Sequence, residues 1–355
     1  MLLSKMIQDL YFLVKDILLC LIQMVTQSPR IIFNQIKELV EYAKQTKKNT
    51  KHILNTNLEL GLLHLYNNKF NDAIFRFKLV DILFNPGNKF VYYWLGWCYF
   101  MKNNYDKSLL YFSKSNEKLS DAESKEINTK ELIDFIKNYK EYINIPMNIW
   151  NQFRDIHAIN YAEIFITQSC NLSETFIKYA LSKADNIDSN YNILELGSNI
   201  GIVGQELRKR FPGKFYLKGV ESSEEMINIC NILHNDKESK YNDLVHNDML
   251  HFLQDATQTS QRFEIILSFC YFTFSSKLSE YFKSISDILT TNGYFIFLLP
   301  FDSNLVVSLE DVALCFSEGL IRQELSNCNL DLLDSKIVSL ENKKFIIYCT
   351  NKIQG

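Results

Sequence analysis

Three features are scarce in this 355-residue chain: paired cysteines, basic runs in its second half and uninterrupted apolar stretches. The eight cysteines are scattered and none forms Cys-x-x-Cys, which predicts reduced thiols, a cytoplasmic location and no structural zinc. Residues 146–355 carry 18 Lys and Arg against 26 Asp and Glu, a net charge of −8. Because phosphate binding needs basic clusters, this half is not expected to bind nucleic acid.

The longest apolar stretch runs from Met6 to Val25 and contains charges such as Lys15 and Asp16. Each charge costs about 2.5–3.5 kcal/mol at a bilayer centre, so we do not expect a transmembrane span. A signal peptide does not fit either, because the stretch has no uninterrupted apolar core and no cleavage site. The sequence favours an N-terminal helical hairpin over residues 1–50. The alternative is peripheral membrane contact, or dimerisation, through residues 2–26.

Residues 51–145 have the pattern of successive helices with an internal repeat. Similar residues recur 35 positions apart, in the pairs Leu60 and Leu95, Gly61 and Gly96, Phe70 and Tyr105, Ala73 and Ser108, and Phe77 and Phe112. Small residues let helices approach, and aromatic residues fill the space between them. The two units resemble tetratricopeptide (TPR) repeats, with Asp121–Tyr142 as a capping helix. A helical bundle with coincidental spacing is the alternative.

From residue 146 onward the pattern changes to apolar strands alternating with helices. Five strands are predicted, at Asn192–Leu196, Phe215–Glu221, Tyr241–Val245, Phe263–Phe269 and Tyr294–Leu299. This alternation predicts a parallel sheet with helices on both faces. Two further strands, Leu330–Leu333 and Phe345–Cys349, can pair as an antiparallel hairpin at the end of the chain.

The most informative stretch is the turn Glu195-Leu196-Gly197-Ser198-Asn199-Ile200-Gly201, between a predicted strand and a predicted helix. A Gly-rich turn at this place brings backbone N–H groups close to a ligand. Its acid lies two residues before the first glycine, whereas a dinucleotide fingerprint has its acid about 20 residues later. The spacing therefore disfavours a nicotinamide-dependent oxidoreductase. An ordinary turn of an α/β domain is the alternative.

This turn, the strand order and the terminal hairpin resemble the class I S-adenosylmethionine-dependent methyltransferases. With the repeats ahead of it, the whole chain resembles the TPR-containing bacterial members of that class. The resemblance covers about residues 148–350 and implies a Rossmann-like domain over residues 146–355, with a mostly parallel seven-stranded sheet. It implies S-adenosylmethionine as the cofactor. The cofactor-binding residues it implies are Glu195, Gly197, Ser198, Asn199, Gly201, Glu221, Ser222, Asp248, Met249, Ser268 and Tyr161.

The resemblance also implies what several of these residues bind. Glu195 would accept the methionine amine, Glu221 the ribose hydroxyls, and Asp248 with Met249 would hold the adenine. Tyr161 would end a Tyr-Ala-x-x-Tyr element that lies over the cofactor. In this chain His157 replaces the first Tyr of that element, and we interpret it as a surface or lid residue rather than a base.

Methyl transfer to a carboxylate or a phenolate needs no general base, because the sulfonium is already activated, and no catalytic residue is assigned. The loop Ser268–Phe272 is aromatic and uncharged, which indicates an apolar or aromatic acceptor. The sequence predicts a methyltransferase for an unidentified small-molecule or protein acceptor, with repeats that recruit a substrate or partner. The alternative is a repeat-based scaffold with an inactive methyltransferase fold.

Overall fold

The structure is a computed structural model that describes residues 29–120, 123, 127–167, 170–183, 191–211, 215–233, 241–340 and 342–352. The helix predicted within residues 2–26 lies outside these residues. Among the described residues, no helix is both long and apolar enough to cross a membrane. The chain divides into two compact units, residues 1–65 with 69–123 and residues 66–68 with 124–355.

The first unit is helical. Its helices are α1 Pro29–Tyr66, α2 Phe70–Leu83, α3 Lys89–Phe100 and α4 Tyr105–Asn116. No Pro or Gly occurs between residues 30 and 60, so no helix-breaking residue interrupts this part of α1. The helix continues through residue 50, where we had expected a hairpin to end and the repeats to begin. The domain limits given by the sequence stay a prediction.

The 35-residue period corresponds to equivalent contacts in two helix pairs. Gly61 of α1 faces the ring of Phe77 in α2, and Gly96 of α3 faces the ring of Phe112 in α4. A Cβ at these glycines would lie 2.7 and 2.5 Å from the facing rings, so each helix pair needs a glycine at this crossing. Ser108, at the small-residue position of the second pair, donates a hydrogen bond from Oγ to the Gly96 carbonyl at 2.9 Å.

The turns inside the two pairs repeat as well. Asn68 and Asn103 lie 35 residues apart, and both adopt a φ of 56° shortly before α2 and α4 begin. Asn is the non-glycine residue that adopts the left-handed region most readily, so the same residue type ends both preceding helices. We had not included this pair in the repeat pattern.

The second unit begins with helices α5 Thr129–Asn138, α6 Met147–Thr167 and α7 Cys170–Lys183. The segment expected to cap the repeats contains α5, which groups with the second unit. The chain after α5 explains this grouping, because it is hydrogen-bonded to the loop that follows the fourth strand. Ile145 donates its N–H to the Phe274 carbonyl at 2.7 Å, and Ser276 donates to the Ile143 carbonyl at 3.0 Å.

The rest of the unit alternates strands and helices. The strands are β1 Asn192–Leu196, β2 Tyr216–Glu221, β3 Asp243–His246, β4 Phe263–Phe269, β5 Leu289–Pro300, β6 Val306–Ser308, β7 Ala313–Cys315, β8 Leu330–Leu340 and β9 Lys343–Lys352. The helices between them are α8 Ile202–Arg210, α9 Glu224–Leu233, α10 Met249–Gln258, α11 Ser279–Ile288 and α12 Glu318–Ser326.

Seven strands form one sheet in the order β3-β2-β1-β4-β5-β9-β8. Strands β1 to β5 are parallel, and β9 lies antiparallel to both β5 and β8. The predicted mostly parallel sheet with an antiparallel terminal hairpin is therefore confirmed. Strands β6 and β7 form a separate two-stranded hairpin that the sequence had not indicated.

The central strand β1 explains where the site lies. Ile193, Leu194 and Leu196 are fully buried, as expected for a strand that is covered on both faces. The strand order reverses at β1, between β2 and β4. In such sheets a crevice forms outside the carboxyl ends of the strands at the reversal, and the turn after β1 lies there.

Candidate cofactor site

The turn after β1 has a left-handed backbone at alternate residues. Gly197, Asn199 and Gly201 have φ angles of 71°, 50° and 81°. Asn199 tolerates this conformation and stabilises it by donating from Nδ2 to the Gly197 carbonyl at 2.7 Å. Gly201 directly precedes α8, so the turn leads straight into a helix N-terminus.

Gly197 is required at its position for a second reason. A Cβ there would lie 2.2 Å from the ring of Tyr271, which belongs to the loop after β4. The Tyr271 ring packs edge-on against Trp150 of α6, with centroids 5.3 Å apart. The turn is therefore covered by an aromatic residue of the loop after β4, which α6 supports from behind through Trp150.

Glu195 points into the protein interior, where it has two donors. Tyr241 donates its hydroxyl to Glu195 Oε2 at 2.7 Å, and the carboxylate also accepts the N–H of Gly204 in the first turn of α8. A Cβ on Gly204 would lie 2.4 Å from the Tyr241 hydroxyl, so this glycine makes the contact possible. Burial raises the pKa of Glu195 to about 8, although the Tyr241 hydrogen bond lowers it.

Glu221, at the carboxyl end of β2, is fully buried, and its carboxylate is saturated with donors. Its Oε1 accepts the backbone N–H groups of Ser222 and Ser223 at 2.8 and 2.9 Å. Its Oε2 accepts the N–H of Asn199 at 2.9 Å and Nη2 of Arg154 at 3.0 Å. Burial alone would raise the pKa of Glu221, but Arg154 and the backbone amides hold the pKa below its ordinary value.

Arg154 of α6 is a site residue that sequence reasoning missed. The same Nη2 atom donates to Asn199 Oδ1 at 2.8 Å, so one guanidinium joins the turn after β1 to the acid after β2. The guanidinium lies 4.4 Å from the centroid of Trp150 and 5.8 Å from that of Tyr271. The sequence did contain a clue to Arg154, because it is a charged residue four positions after Trp150 and so lies on the same apolar face of α6.

A second contact joins α6 to the turn after β2. Ser223 donates its Oγ to Asp155 Oδ1 at 2.7 Å. Burial raises the pKa of Asp155, against the opposing effects of Ser223 and Arg154. Neighbouring residues of α6 thus contact both sides of the β2–α9 turn, where a ribose acceptor was expected.

The predicted adenine residues lie at the start of α10. Asp248 is exposed and accepts the N–H of His251 at 3.0 Å, so it serves as the N-cap of α10. Met249 follows it and is buried. Ser222 donates to Glu221 and lies beside these residues at the same edge of the sheet, since His246 Nε2 lies 3.1 Å from its carbonyl oxygen. The Tyr161 side chain lies outside the described residues.

Two buried hydroxyls provide a test of whether a polar ligand fits this edge. Ser198 lies in the turn, and Ser268 lies beside Leu196 at the end of β4. Both are buried, and neither hydroxyl has a hydrogen-bond partner among the described residues. Buried hydroxyls are normally satisfied, so these two fit a ligand with polar groups. A small cavity at the turn is lined by Glu195, Ser198, Asn199, Ile200, Ile202, Val203 and Phe269.

The aromatic loop after β4 is packed inward. Phe272 is fully buried and contacts Phe282 of α11 and Phe295 of β5, with ring centroids 5.9 and 6.4 Å apart. Cys270 adopts a φ of 57°, which is costly for a residue other than glycine and aims the following Tyr271 at the turn. The uncharged loop had suggested an apolar acceptor, but its residue Phe272 belongs to the hydrophobic core.

His157 lies one turn of α6 beyond Arg154. Its ring packs against Phe153 with centroids 4.5 Å apart, and burial lowers its pKa to about 4. The imidazole is therefore neutral near pH 7. This is consistent with packing rather than with the binding of an anion.

Comparison with known proteins finds one family match, which lies within the second unit. Residues 187–331 match the family model of a methyltransferase domain. No curated protein matches the chain in sequence. Among solved structures, the chain is similar to a SAM-dependent methyltransferase from Leishmania major, with 12% identity over 62% of this chain and 91% of that chain and a TM-score of 0.48.

Two further solved structures are similar to this chain. Magnesium protoporphyrin IX methyltransferase from Synechocystis, solved with bound SAH, is 11% identical over 51% of this chain and 82% of that chain, with a TM-score of 0.41. TrmN from Thermus thermophilus is 10% identical over 51% of this chain, with a TM-score of 0.40, and the match spans 49% of the TrmN chain. The family match shows that residues 187–331 are similar to a methyltransferase domain.

Proposed function

We propose that the chain binds S-adenosylmethionine along the carboxyl ends of β1 and β2 and methylates an acceptor that the N-terminal helix pairs help to recruit. The observation that carries this proposal is the left-handed Gly197–Gly201 turn, which joins β1 to α8 inside the matched methyltransferase domain. When bound, the cofactor supplies an activated methyl group. The protein then has to hold the reactants in line and exclude water.

The chain's own residues would divide this task as follows. Glu195 would face the methionine amine, Glu221 the ribose hydroxyls, and Asp248 with Met249 the adenine. Ser198 and Ser268 would gain the hydrogen-bond partners that their buried hydroxyls need. Gly197, Asn199 and Gly201 would shape the turn, and Ser222 and Tyr161 would border the pocket.

Arg154 makes binding conditional on a rearrangement. All the donors of Glu221 come from the protein, and one is the Arg154 guanidinium. A ribose can reach this carboxylate only if it displaces one of them. The side-chain donors are the Arg154 guanidinium and the Ser222 hydroxyl, which lies 3.4 Å from Oε1, and either can move while the backbone amides stay in place. The released guanidinium is then free to pair with the carboxylate of the methionine part. We propose that α6 opens and closes the site in this way.

The helix pairs supply the recruitment part of the proposal. The matching contacts of Gly61 with Phe77 and of Gly96 with Phe112 support an assignment to TPR-like repeats. Such repeats stack into surfaces that bind partners. A cytoplasmic location stays a prediction from the unpaired cysteines.

One observation favours the alternative, a scaffold whose methyltransferase fold is inactive. The same Arg154–Glu221 pair could fill the ribose position permanently, because an ion pair with a fully buried carboxylate is costly to separate. In that case the chain would bind partners through residues 51–145 and would not bind the cofactor.

Calorimetric titration with S-adenosylmethionine and S-adenosylhomocysteine tests the proposal. We expect one-to-one, micromolar binding to the full chain and at least a tenfold loss of affinity in Glu221→Gln, because the charged ribose acceptor is removed. Glu264→Gln is the matched control. Glu264 of β4 accepts the N–H of Asn192 of β1 at 2.7 Å, at the amino ends of strands in the same sheet, so the variant should bind the cofactor with unchanged affinity.

Circular dichroism would establish that each variant is folded. A folded wild-type chain that binds neither compound would reject the enzyme and favour the scaffold. Equal losses in Glu221→Gln and Glu264→Gln would reject the placement of the ribose at β2.

A further inference from the structure

The second helix pair has an unusual concentration of lysines around stacked tyrosines. We call this surface the Lys–Tyr face, and its members are Tyr92, Tyr99, Tyr111, Lys78, Lys107, Lys114 and Lys118. The rings of Tyr99 and Tyr111 stack 5.4 Å apart with an interplanar angle of 6°. Tyr92 lies 6.0 Å from Tyr111. Helices α2, α3 and α4 all contribute to this face.

Each lysine places its ammonium near one of these rings. Lys78 and Lys107 lie 5.9 and 5.3 Å from the centroid of Tyr99, so two cations share one ring. Lys114 and Lys118 lie 5.7 and 5.5 Å from the centroid of Tyr92. Contacts of this kind are favourable and restrict the positions that the lysine side chains adopt.

The lysines of the Lys–Tyr face are not held in close ion pairs in the part of the chain that the structure describes. Among the residues that the structure describes, none of its four lysines forms an ion pair within 4 Å, whereas Lys89 of the same unit pairs with Glu123. Asp81 lies beside the face and accepts the N–H of Gly87 at 2.8 Å. Asp106 and Glu117 adjoin Lys107 and Lys118 in the chain, so four ammonium groups against three carboxylates leave a local excess of one positive charge. Neighbouring like charges repel, so this arrangement would be stabilised by a polyanion.

The tyrosines indicate which polyanion fits. A single-stranded nucleic acid would need ring faces on which its bases could stack. Tyr99 is only 7% exposed, its ring is stacked on Tyr111, and lysines lie over the rings. The face therefore offers fixed ammonium groups and no free stacking platform, which suits carboxylates spaced along a peptide.

We propose that the Lys–Tyr face binds an acidic segment of a partner protein, rich in Asp and Glu. This deepens the recruitment part of the proposed function, and it rests on that part only. Because cation–π contacts already restrain the lysine side chains, less conformational entropy is lost on binding than for free lysines. Each exposed ion pair contributes little alone, so affinity should come from several pairs together and should fall with added salt.

Fluorescence anisotropy with the full-length chain would test this proposal. The probe is a fluorescein-labelled peptide of eight glutamates, with a Gly/Ser peptide of the same length as the neutral control. In low-salt buffer we expect saturable binding of the acidic peptide alone. Lys107→Gln/Lys114→Gln should weaken it about tenfold, whereas Lys107→Arg/Lys114→Arg, which keeps the charge, should retain most of it.

The matched control is Lys51→Gln/Lys102→Gln, which removes the same charge from exposed positions of the same unit. We expect less than a twofold effect there, since neither lysine belongs to the face. Equal weakening in the two Gln double variants would overturn the proposal, because binding would then follow net charge alone. An octamer of uridylate RNA that binds more tightly than the peptide and displaces it would also overturn it.

The cofactor titration separates this proposal from the enzymatic one. The chain with Lys107→Gln/Lys114→Gln should bind S-adenosylhomocysteine as wild type does, because these lysines lie in the helical unit. Specific peptide binding by a chain that fails to bind cofactor would leave the Lys–Tyr face intact and reject methyl transfer. Cofactor binding without peptide binding would reject the face alone.

Discussion

At the scale of single residues, the position of Glu195 in the turn did not predict how deeply its carboxylate is buried. Its buried carboxylate has a pKa of about 8 in the folded chain, against an ordinary value of 4.5. At a pH between these two values, the folded state therefore keeps a proton on this carboxyl group that the unfolded state has lost. The contribution of this group to the free energy of unfolding is fully present below about pH 4.5 and is lost progressively as the pH rises through 8.

Glu195→Gln removes this titration while it keeps an acceptor for the Tyr241 hydroxyl. We expect the variant to become more stable relative to wild type as the pH rises from 5 to 8.5, by up to a few kcal/mol. Urea unfolding at several pH values would measure the difference. Glu310→Gln, at an exposed position, is the control and should show no such trend. A Glu195→Gln difference that stays constant over this range would contradict the assignment.

The backbone conformation of the turn could be predicted from sequence, because it depends on residues that are neighbours in the chain. Asn is the non-glycine residue that adopts the left-handed region most readily, and Asn199 has a φ of 50°. Arg154 could not be predicted, because its role depends on a helix that reaches the turn from 45 positions earlier in the chain. Tyr241 was missed for the same reason, since it lies 46 positions after the acid to which it donates.

At the scale of helices and strands, the crossing of α3 with α4 depends on one glycine. Gly96 is buried, and a Cβ there would lie 2.5 Å from the Phe112 ring, which is itself buried and cannot withdraw into solvent. Gly96→Ala should therefore destabilise the helical unit by about 1–3 kcal/mol, since overpacking outweighs the gain in helix propensity. Thermal unfolding would measure the loss.

Gly319→Ala is the matched control for this substitution. Gly319 lies in the first turn of α12, and a Cβ there would meet nothing within 4 Å. Alanine should leave stability unchanged or raise it by up to about 1 kcal/mol, because the unfolded chain loses freedom. A Gly96→Ala variant as stable as Gly319→Ala would show that the helix pair relaxes without cost.

The elements that sequence located best are the buried strands. Strand β1 has the predicted limits of Asn192 and Leu196, and β4 has those of Phe263 and Phe269, because a continuous apolar run marks a strand that is covered on both faces. The outer strand β8 was expected to end at Leu333 but continues to Leu340. Its exposed side chains give a weak apolar pattern, so its length depends on pairing with β9.

Short or irregular elements were less predictable. The β6–β7 hairpin has three-residue strands, and Leu314 of β7 donates to the Thr273 carbonyl in the loop after β4. The residue pair Asn292-Gly293 is typical of a turn but lies inside β5, which pairs with β4 on both sides of an irregularity in register. Both features depend on contacts with the neighbouring chain segments, and single-sequence periodicity does not contain that information.

At the scale of the whole molecule, the chain consists of two compact units with separate cores. The first core is built from helix pairs such as the one joined at Gly96 and Phe112, and the second surrounds the seven-stranded sheet. A ligand stabilises the unit that binds it, by an amount that grows with the logarithm of its free concentration. The division of the chain and the location of the cofactor site can therefore be tested together.

Differential scanning calorimetry of the full chain should show two unfolding transitions, since two-state behaviour applies to single domains rather than to chains of several. S-adenosylhomocysteine at about 100 times its Kd should stabilise one transition by about 2.7 kcal/mol. Gly96→Ala should lower the other transition and leave the cofactor-dependent one in place. A single transition that responds to both changes would show that the units unfold together. A chain with two transitions, neither of which responds to the ligand, would place the site in doubt and direct attention to the Lys–Tyr face as the functional surface.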